Sequence, residues 1–165
     1  MDVTIIRYVQ THFHNEFTDT VFPFLSRIGN AGAVWISLAF YIGVRHRSKN
    51  LALMLFFALA LSHILSQILK QVIGRPRPFV TYPVDSLLIR RPGGYSCPSG
   101  HSASSFAAAT VLMAGDRRVG AAAMVLAGLI AFSRIFVFVH YPSDTVFGAF
   151  VGTLSALLIL FLYAL

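Results

Sequence analysis

The chain has 165 residues, of which 56% are hydrophobic and 12% charged, with a net charge of +7 and one cysteine. Soluble domains carry about twice that charged share, so the composition and a mean hydropathy of +0.72 point to an integral membrane protein. Lipid forces backbone polar groups to pair within each segment, which selects an all-α form. The basic residues fall in loops and polar clusters, not along a stripe, which argues against a nucleic-acid partner. The lone Cys97 excludes an intramolecular disulfide. The first residues, with an early Asp2 and no clean apolar run, do not read as a cleavable signal peptide.

Residues 2–28 read as one or two amphipathic helices lying at the membrane interface. Val3, Ile6, Val9 and Phe13 recur at near-helical spacing, with Arg7, His12, His14 and Glu16 between them. Gly29, Asn30 and Gly32 mark a break. The first span runs from Ala31 to Val44 and ends at Arg45, His46, Arg47 and Lys49. The second, Leu51 to Ile73, is long enough for the bilayer core at about 1.5 Å per residue. His63, Gln67 and Lys70 share one face of it, which should turn into the bundle.

Residues 74–98 are rich in Pro, Gly and Arg and read as a loop without helix. The third span, Ser99 to Ala114, is made mostly of small residues that permit close packing. A turn at Asp116–Arg118 leads to the fourth span, Val119 to Val139. The fifth runs from Ser143 to Leu165 and carries Gly148 and Gly152 at GxxxG spacing. The expected fold is an all-α integral membrane bundle of five to six transmembrane helices. It forms a single domain over 1–165, with 1–30 an N-terminal amphipathic segment and 31–165 the helical core. A sixth span would have to come from residues 16–30.

Alternation of the spans puts three polar clusters on one side: Lys70 to Pro78, Pro98 to His101, and Ser133 to Asp144. The basic loop 45–49 and the turn 116–118 fall on the other. Short basic loops are cytoplasmic, so the clusters are expected on the extracytoplasmic side of a multi-pass cell-membrane protein.

An ionisable residue inside membrane-type sequence marks a functional site. Lys70, Arg77 and Arg134 offer three cations, and the guanidinium fork matches phosphate oxygens. Ser99 and Gly100 open a helix, where free N–H groups favour an anion. His101 and His140 can divide the roles of nucleophile and acid. Asp144 lies one helical turn beyond His140, within reach to set its tautomer. Together these residues suit phosphoryl transfer.

The pieces Lys70-x6-Arg77-Pro78, Pro98-Ser99-Gly100-His101 and Ser133-Arg134-x5-His140-x3-Asp144 resemble the tripartite signature of the type-2 phosphatidic acid phosphatase and vanadium haloperoxidase superfamily. The match spans roughly residues 51–150 in order and spacing. The resemblance implies a membrane bundle of the lipid phosphatase branch and metal-independent hydrolysis through a phosphohistidine. By position, His140 would be the nucleophile, Asp144 its orienter and His101 the acid for the leaving oxygen. Lys70, Arg77, Arg134, Ser99 and the Gly100 amide would cradle the phosphate. The soluble haloperoxidase branch does not fit a chain this apolar.

The expected partner is a membrane lipid bearing a phosphate or diphosphate, such as undecaprenyl diphosphate, phosphatidylglycerophosphate or phosphatidic acid. No cofactor and no metal are expected. A non-catalytic lipid-phosphate binder or transporter would use the same cations but would not need His101, His140 and Asp144. With both histidines near their reference pKa, a bell-shaped pH–rate profile is expected. Alone, Lys70 would read as a snorkelling end residue, His63 as a bundle hydrogen bond, Arg75 as a headgroup or loop contact, and Cys97 as a small filler.

Overall fold

The computed structural model describes residues 1–45 and 49–164. His46, Arg47 and Leu165, which entered the expected loop and the end of the fifth span, lie outside them. The described residues form eight α-helices and no strand: α1 Asp2–His12, α2 Glu16–Ile28, α3 Ala33–Arg45, α4 Lys49–Ile73, α5 Pro78–Thr81, α6 Gly100–Gly115, α7 Arg117–Phe136 and α8 Pro142–Ala164. A 3₁₀ turn, Asn30–Gly32, joins α2 to α3.

The chain crosses a membrane. Three stretches are long and apolar enough to do so by length and composition: Lys49–Thr81, Arg117–Phe136 and Pro142–Ala164. Ala33–Ile42 is a shorter apolar helix. Exposed Phe40, Phe56, Val72, Phe150 and Phe161 give the bundle an outer surface suited to lipid tails.

Helix α6 is the axis of the bundle, packed against α4, α7 and α8. Its 16 residues fall short of a full crossing. Their Ala, Ser and Gly side chains suit an interior helix whose neighbours carry the lipid contact. Gly148 and Gly152 form the seam with α8. A methyl group on Gly148 would lie 2.4 Å from the Ser99 carbonyl oxygen, and one on Gly152 would lie 2.1 Å from that of Ala103. The GxxxG spacing therefore marks a true backbone-to-backbone contact. Around α6, Trp35, Leu55, Ala107, Leu112 and Ile130 build one buried core, and the Trp35 indole donates to Ser105 Oγ at 3.0 Å.

One expectation needs correction. Residues 74–98 contain a short helix, α5, because Pro78 stands at its first position. There a missing N–H costs nothing and the ring presets the helical φ. Residues 2–28 form two helices, α1 and α2, as the spacing allowed. Helix α2 packs against α7, with Ser26 buried. Asn15 and Thr18 close a capping box that starts α2. Ile6 and Val9 of α1 join Phe136, Val139 and Phe79 in a second core beneath the α7–α8 loop.

Candidate active site

The last turn of α7 sets the position of His140. Phe138 N donates to Ile135 O at 3.0 Å, and Val139 N donates to Arg134 O at 3.2 Å. These bonds make a Schellman cap, which calls for a left-handed residue after the helix end. Phe138 takes that place with φ 60°, a strained conformation for an aromatic residue. The His140 amide bonds the same Arg134 carbonyl, at 3.2 Å. Nucleophile candidate and cation candidate are thus joined through the main chain.

Helix α8 then begins at Pro142. Asp144, in its first turn, accepts from Tyr141 N through Oδ2 at 2.9 Å. His140 Nδ1 lies 3.6 Å from the same oxygen. On the opposite side of the ring, Arg77 Nη1 approaches His140 Nε2 at 3.3 Å. A guanidinium has no acceptor, so Nε2 carries the lone pair and Nδ1 carries the proton, facing Asp144. Burial, together with the charges of Arg134, Arg77 and Lys70, pushes the His140 ring down to about 3, against the pull of Asp144. The expectation of a near-reference His140 is corrected accordingly: full burial disfavours the imidazolium.

Helix α6 opens at Ser99, whose hydroxyl accepts from Ser102 N at 3.4 Å, while Ser99 N donates to Asp144 O at 2.9 Å. Ser99 is wholly buried and acts as the helix cap and the tie to α8. Gly100 and His101, by contrast, line a cavity. A Cβ on Gly100 would meet no atom within 4 Å, so the backbone there is open to a ligand. His101 Nε2 lies 2.9 Å from Asn30 Oδ1 and 3.2 Å from Ser26 O. Two oxygen acceptors make this nitrogen the protonated one.

The cavity has a volume of 490 Å³. Lys70, Arg77, Arg134, His101 and His140 line its polar end, and Ile36, Phe56, Leu59 and Ala60 its apolar end. Lys70 Nζ donates to Tyr95 O at 2.8 Å. Arg77 is spread over the carbonyls of Gly93, Gly94 and Val139 at 3.0, 3.0 and 3.1 Å. Arg134 donates to Ser26 Oγ, and its buried Nε has no hydrogen-bond partner among the described residues. His63 and Gln67 line the cavity between its two ends, their nitrogens 3.5 Å apart. Cys97 is buried, and burial pushes its thiol up to about 11, away from reactivity.

The structure thus gathers the three sequence clusters around one cavity. Sequence reasoning missed Ser26 and Asn30, which hold Arg134 and His101 from α2 and the turn after it. They lie four positions apart across the end of α2, but the residues they touch are 71 to 108 positions away. Arg75, expected from the sequence at a headgroup or loop contact, has other partners. It is bound to Asp144 and Asp2.

The PAP2 superfamily profile matches residues 51–164, the stretch that holds all three clusters. The chain belongs to the PAP2 superfamily. It is 30% identical over 131 residues to an undecaprenyl-diphosphatase of Sulfolobus acidocaldarius, covering 79% of this chain and 63% of that relative. It is 35% identical over 125 residues to a decaprenylphosphoryl-5-phosphoribose phosphatase of Mycolicibacterium smegmatis, covering 75% of this chain and 67% of that one. The chain therefore spans about two thirds of the length of these PAP2 relatives. The crystal structure of Aquifex aeolicus LpxE superposes with a TM-score of 0.84 at 28% identity, covering 96% of this chain and 93% of that one.

Proposed function

We propose that this protein is an integral membrane phosphatase that hydrolyses lipid phosphates or diphosphates through a phosphohistidine. The observation that carries this reading is one cavity lined by Lys70, Arg77, Arg134, His101 and His140, with Asp144 behind His140. Phosphoryl transfer asks mainly for positioning and for cations around the transferred group. Lys70, Arg77, Arg134 and the Gly100 amide supply the second requirement.

In this scheme His140 Nε2 attacks phosphorus in line. The N–P bond forms as the P–O bond to the leaving group breaks, and His101, entering the step as the imidazolium beside the anionic phosphate, gives that oxygen its Nδ1 proton while Nε2–H stays on Asn30 and Ser26. Asp144 stabilises the imidazolium that develops on His140. Water, deprotonated by His101, then attacks phosphorus, breaks the N–P bond and releases phosphate. In the free enzyme Arg77 occupies the Nε2 lone pair, so phosphate entry must draw that guanidinium onto its own oxygens. Ser99 contributes by capping α6 and tying it to α8, not through a hydroxyl in the cavity. A phosphate binder or transporter would need the cations but not an imidazole held in one tautomer, so the hydrolase reading is preferred.

The apolar end of the cavity, from Ala60 to Ile36, suits a lipid tail. The names of the Sulfolobus and Mycolicibacterium relatives favour polyprenyl phosphates within the substrate class. We place the site on the extracytoplasmic side of the cell membrane. That assignment rests on Arg117 and Arg118, which lie at the opposite end of α6 from His101.

Purified protein should release phosphate from at least one of undecaprenyl diphosphate, phosphatidic acid and phosphatidylglycerophosphate. It should act poorly on a soluble phosphate ester. His140→Ala should abolish release while the protein stays folded in detergent. Full turnover by that variant would overturn the proposal.

A further inference from the structure

Arg75 is the best-anchored cation near the site, yet it does not line the cavity. Its Nη1 donates to Asp144 Oδ1 at 2.7 Å and to Ser143 Oγ at 2.7 Å. Its Nη2 donates to Asp2 Oδ2 at 2.8 Å. The guanidinium carbon lies over the Tyr141 ring, 3.8 Å from its centroid, a distance for a strong cation–π contact. At the other end of the residue, the Arg75 carbonyl accepts from Ser96 N at 2.8 Å. Asp2 closes the circle by accepting from Ser143 N at 3.1 Å and from Ser143 Oγ at 2.5 Å.

Asp144 is wholly buried. Tyr141 N and His140 Nδ1 face its Oδ2, Arg75 Nη1 donates to Oδ1 as the charged donor, and the Cys97 thiol also bonds the carboxylate. A buried carboxylate oxygen without a donor is costly. The carboxylate plane, and with it the direction of Oδ2 toward His140, therefore depends on the Arg75 fork. The fork in turn depends on Asp2, which comes from α1, an element far from Asp144 in the chain.

We propose that Arg75 is the positioning residue of the Asp144–His140 pair, and that Asp2 locks it, so that docking of α1 sets the orientation of the nucleophile. This rests on the reading of His140 as nucleophile. It goes beyond it by making the N-terminal helix part of the catalytic geometry. Arg75 touches no substrate in this scheme and acts only through Asp144.

The test measures lipid-phosphate hydrolysis and vanadate affinity for wild type, Arg75→Gln, Arg75→Lys, Asp2→Asn and the double variant. Arg75→Gln should lower kcat by about 10²-fold, the usual effect of an ångström of misplacement. Its KM and vanadate affinity should stay near wild type, because Lys70, Arg77 and Arg134 are untouched. Arg75→Lys should recover part of kcat, since lysine restores a charge but not the fork. Asp2→Asn should lower kcat less, and the double variant should be no worse than Arg75→Gln, as expected for residues acting in one chain of contacts.

A kcat for Arg75→Gln within twofold of wild type, or a loss confined to KM and vanadate affinity, would overturn the proposal. If Arg75→Gln does not fold, Asp2→Asn decides: an unchanged kcat refutes the lock. Nitrogen-15 NMR of the histidines provides a readout independent of turnover. Wild type should show His140 as the single Nδ1–H tautomer, and Asp2→Asn should show a mixture. If wild type releases no phosphate from any lipid, the proposed function fails. The tautomer spectra then still decide the positioning role, and an unchanged His140 signal counts against it.

Discussion

Replacing Gly148 or Gly152 by alanine tests how the α6–α8 seam supports the site. The new methyl would lie 2.4 Å from the Ser99 carbonyl oxygen in the first case and 2.1 Å from that of Ala103 in the second. A relaxed carbon–oxygen contact is about 3.3 Å, so the helices must part by roughly 1 Å. Both obstacles are main-chain atoms and cannot rotate away. Overpacking of this kind costs about 1–3 kcal/mol, and both variants should lose that much in detergent unfolding.

The two sites differ in what else moves. Gly148 lies one turn from Asp144, whose carbonyl holds Ser99 N at 2.9 Å. Separation there shifts Asp144 relative to Gly100 and His101. Gly148→Ala should therefore also lose about 10²-fold in kcat, while Gly152→Ala, one turn further along, should lose less. Gly128→Ala is the control. Its Cβ would meet nothing within 4 Å, and glycine inside a helix is disfavoured by about 0.5–1 kcal/mol. That variant should be as stable as wild type or slightly more so. Wild-type stability in both seam variants, or an equal loss in Gly128→Ala, would refute the close-contact reasoning.

Asn30→Leu removes one of the two oxygens that orient His101. It should lower kcat by about tenfold, part of the range for general-acid catalysis; steady-state kinetics showing an unchanged kcat would discount Asn30. His140 should stay neutral in an NMR titration from pH 8 to 4, because burial pushes its ring down to about 3. The unfolded chain takes up that proton below about pH 6.5 while the folded protein resists it until about 3. Stability should thus fall as pH drops from about 6.5 toward 3, by at most about 1.4 kcal/mol per pH unit from this residue. A His140 titration near 6.5 would contradict the buried geometry. Vanadate should inhibit in competition with substrate, and a metal chelator should leave the rate unchanged. Loss of activity on chelation would show that side-chain cations do not suffice.

Residue order alone sets which side chains carry charge in an apolar chain and how they group. Composition selected helices in lipid, and the order and spacing of Lys70, Arg77, His101, Arg134, His140 and Asp144 carried the family signature. The Gly148–Gly152 spacing likewise announced a helix seam, because a helical period reports which residues share a face. Periodicity says nothing about which face meets which. Tertiary structure alone decided that Ser26 and Asn30 hold Arg134 and His101, and that Ser99 serves as a cap. It also decided that Phe138 closes α7 in a left-handed turn, and that Arg75 joins Asp2 to Asp144. Each of these is a contact between segments distant in the chain or a choice of backbone conformation. Such features are settled by close packing and by the need to satisfy buried polar groups. Neither leaves a local imprint on the order of residues.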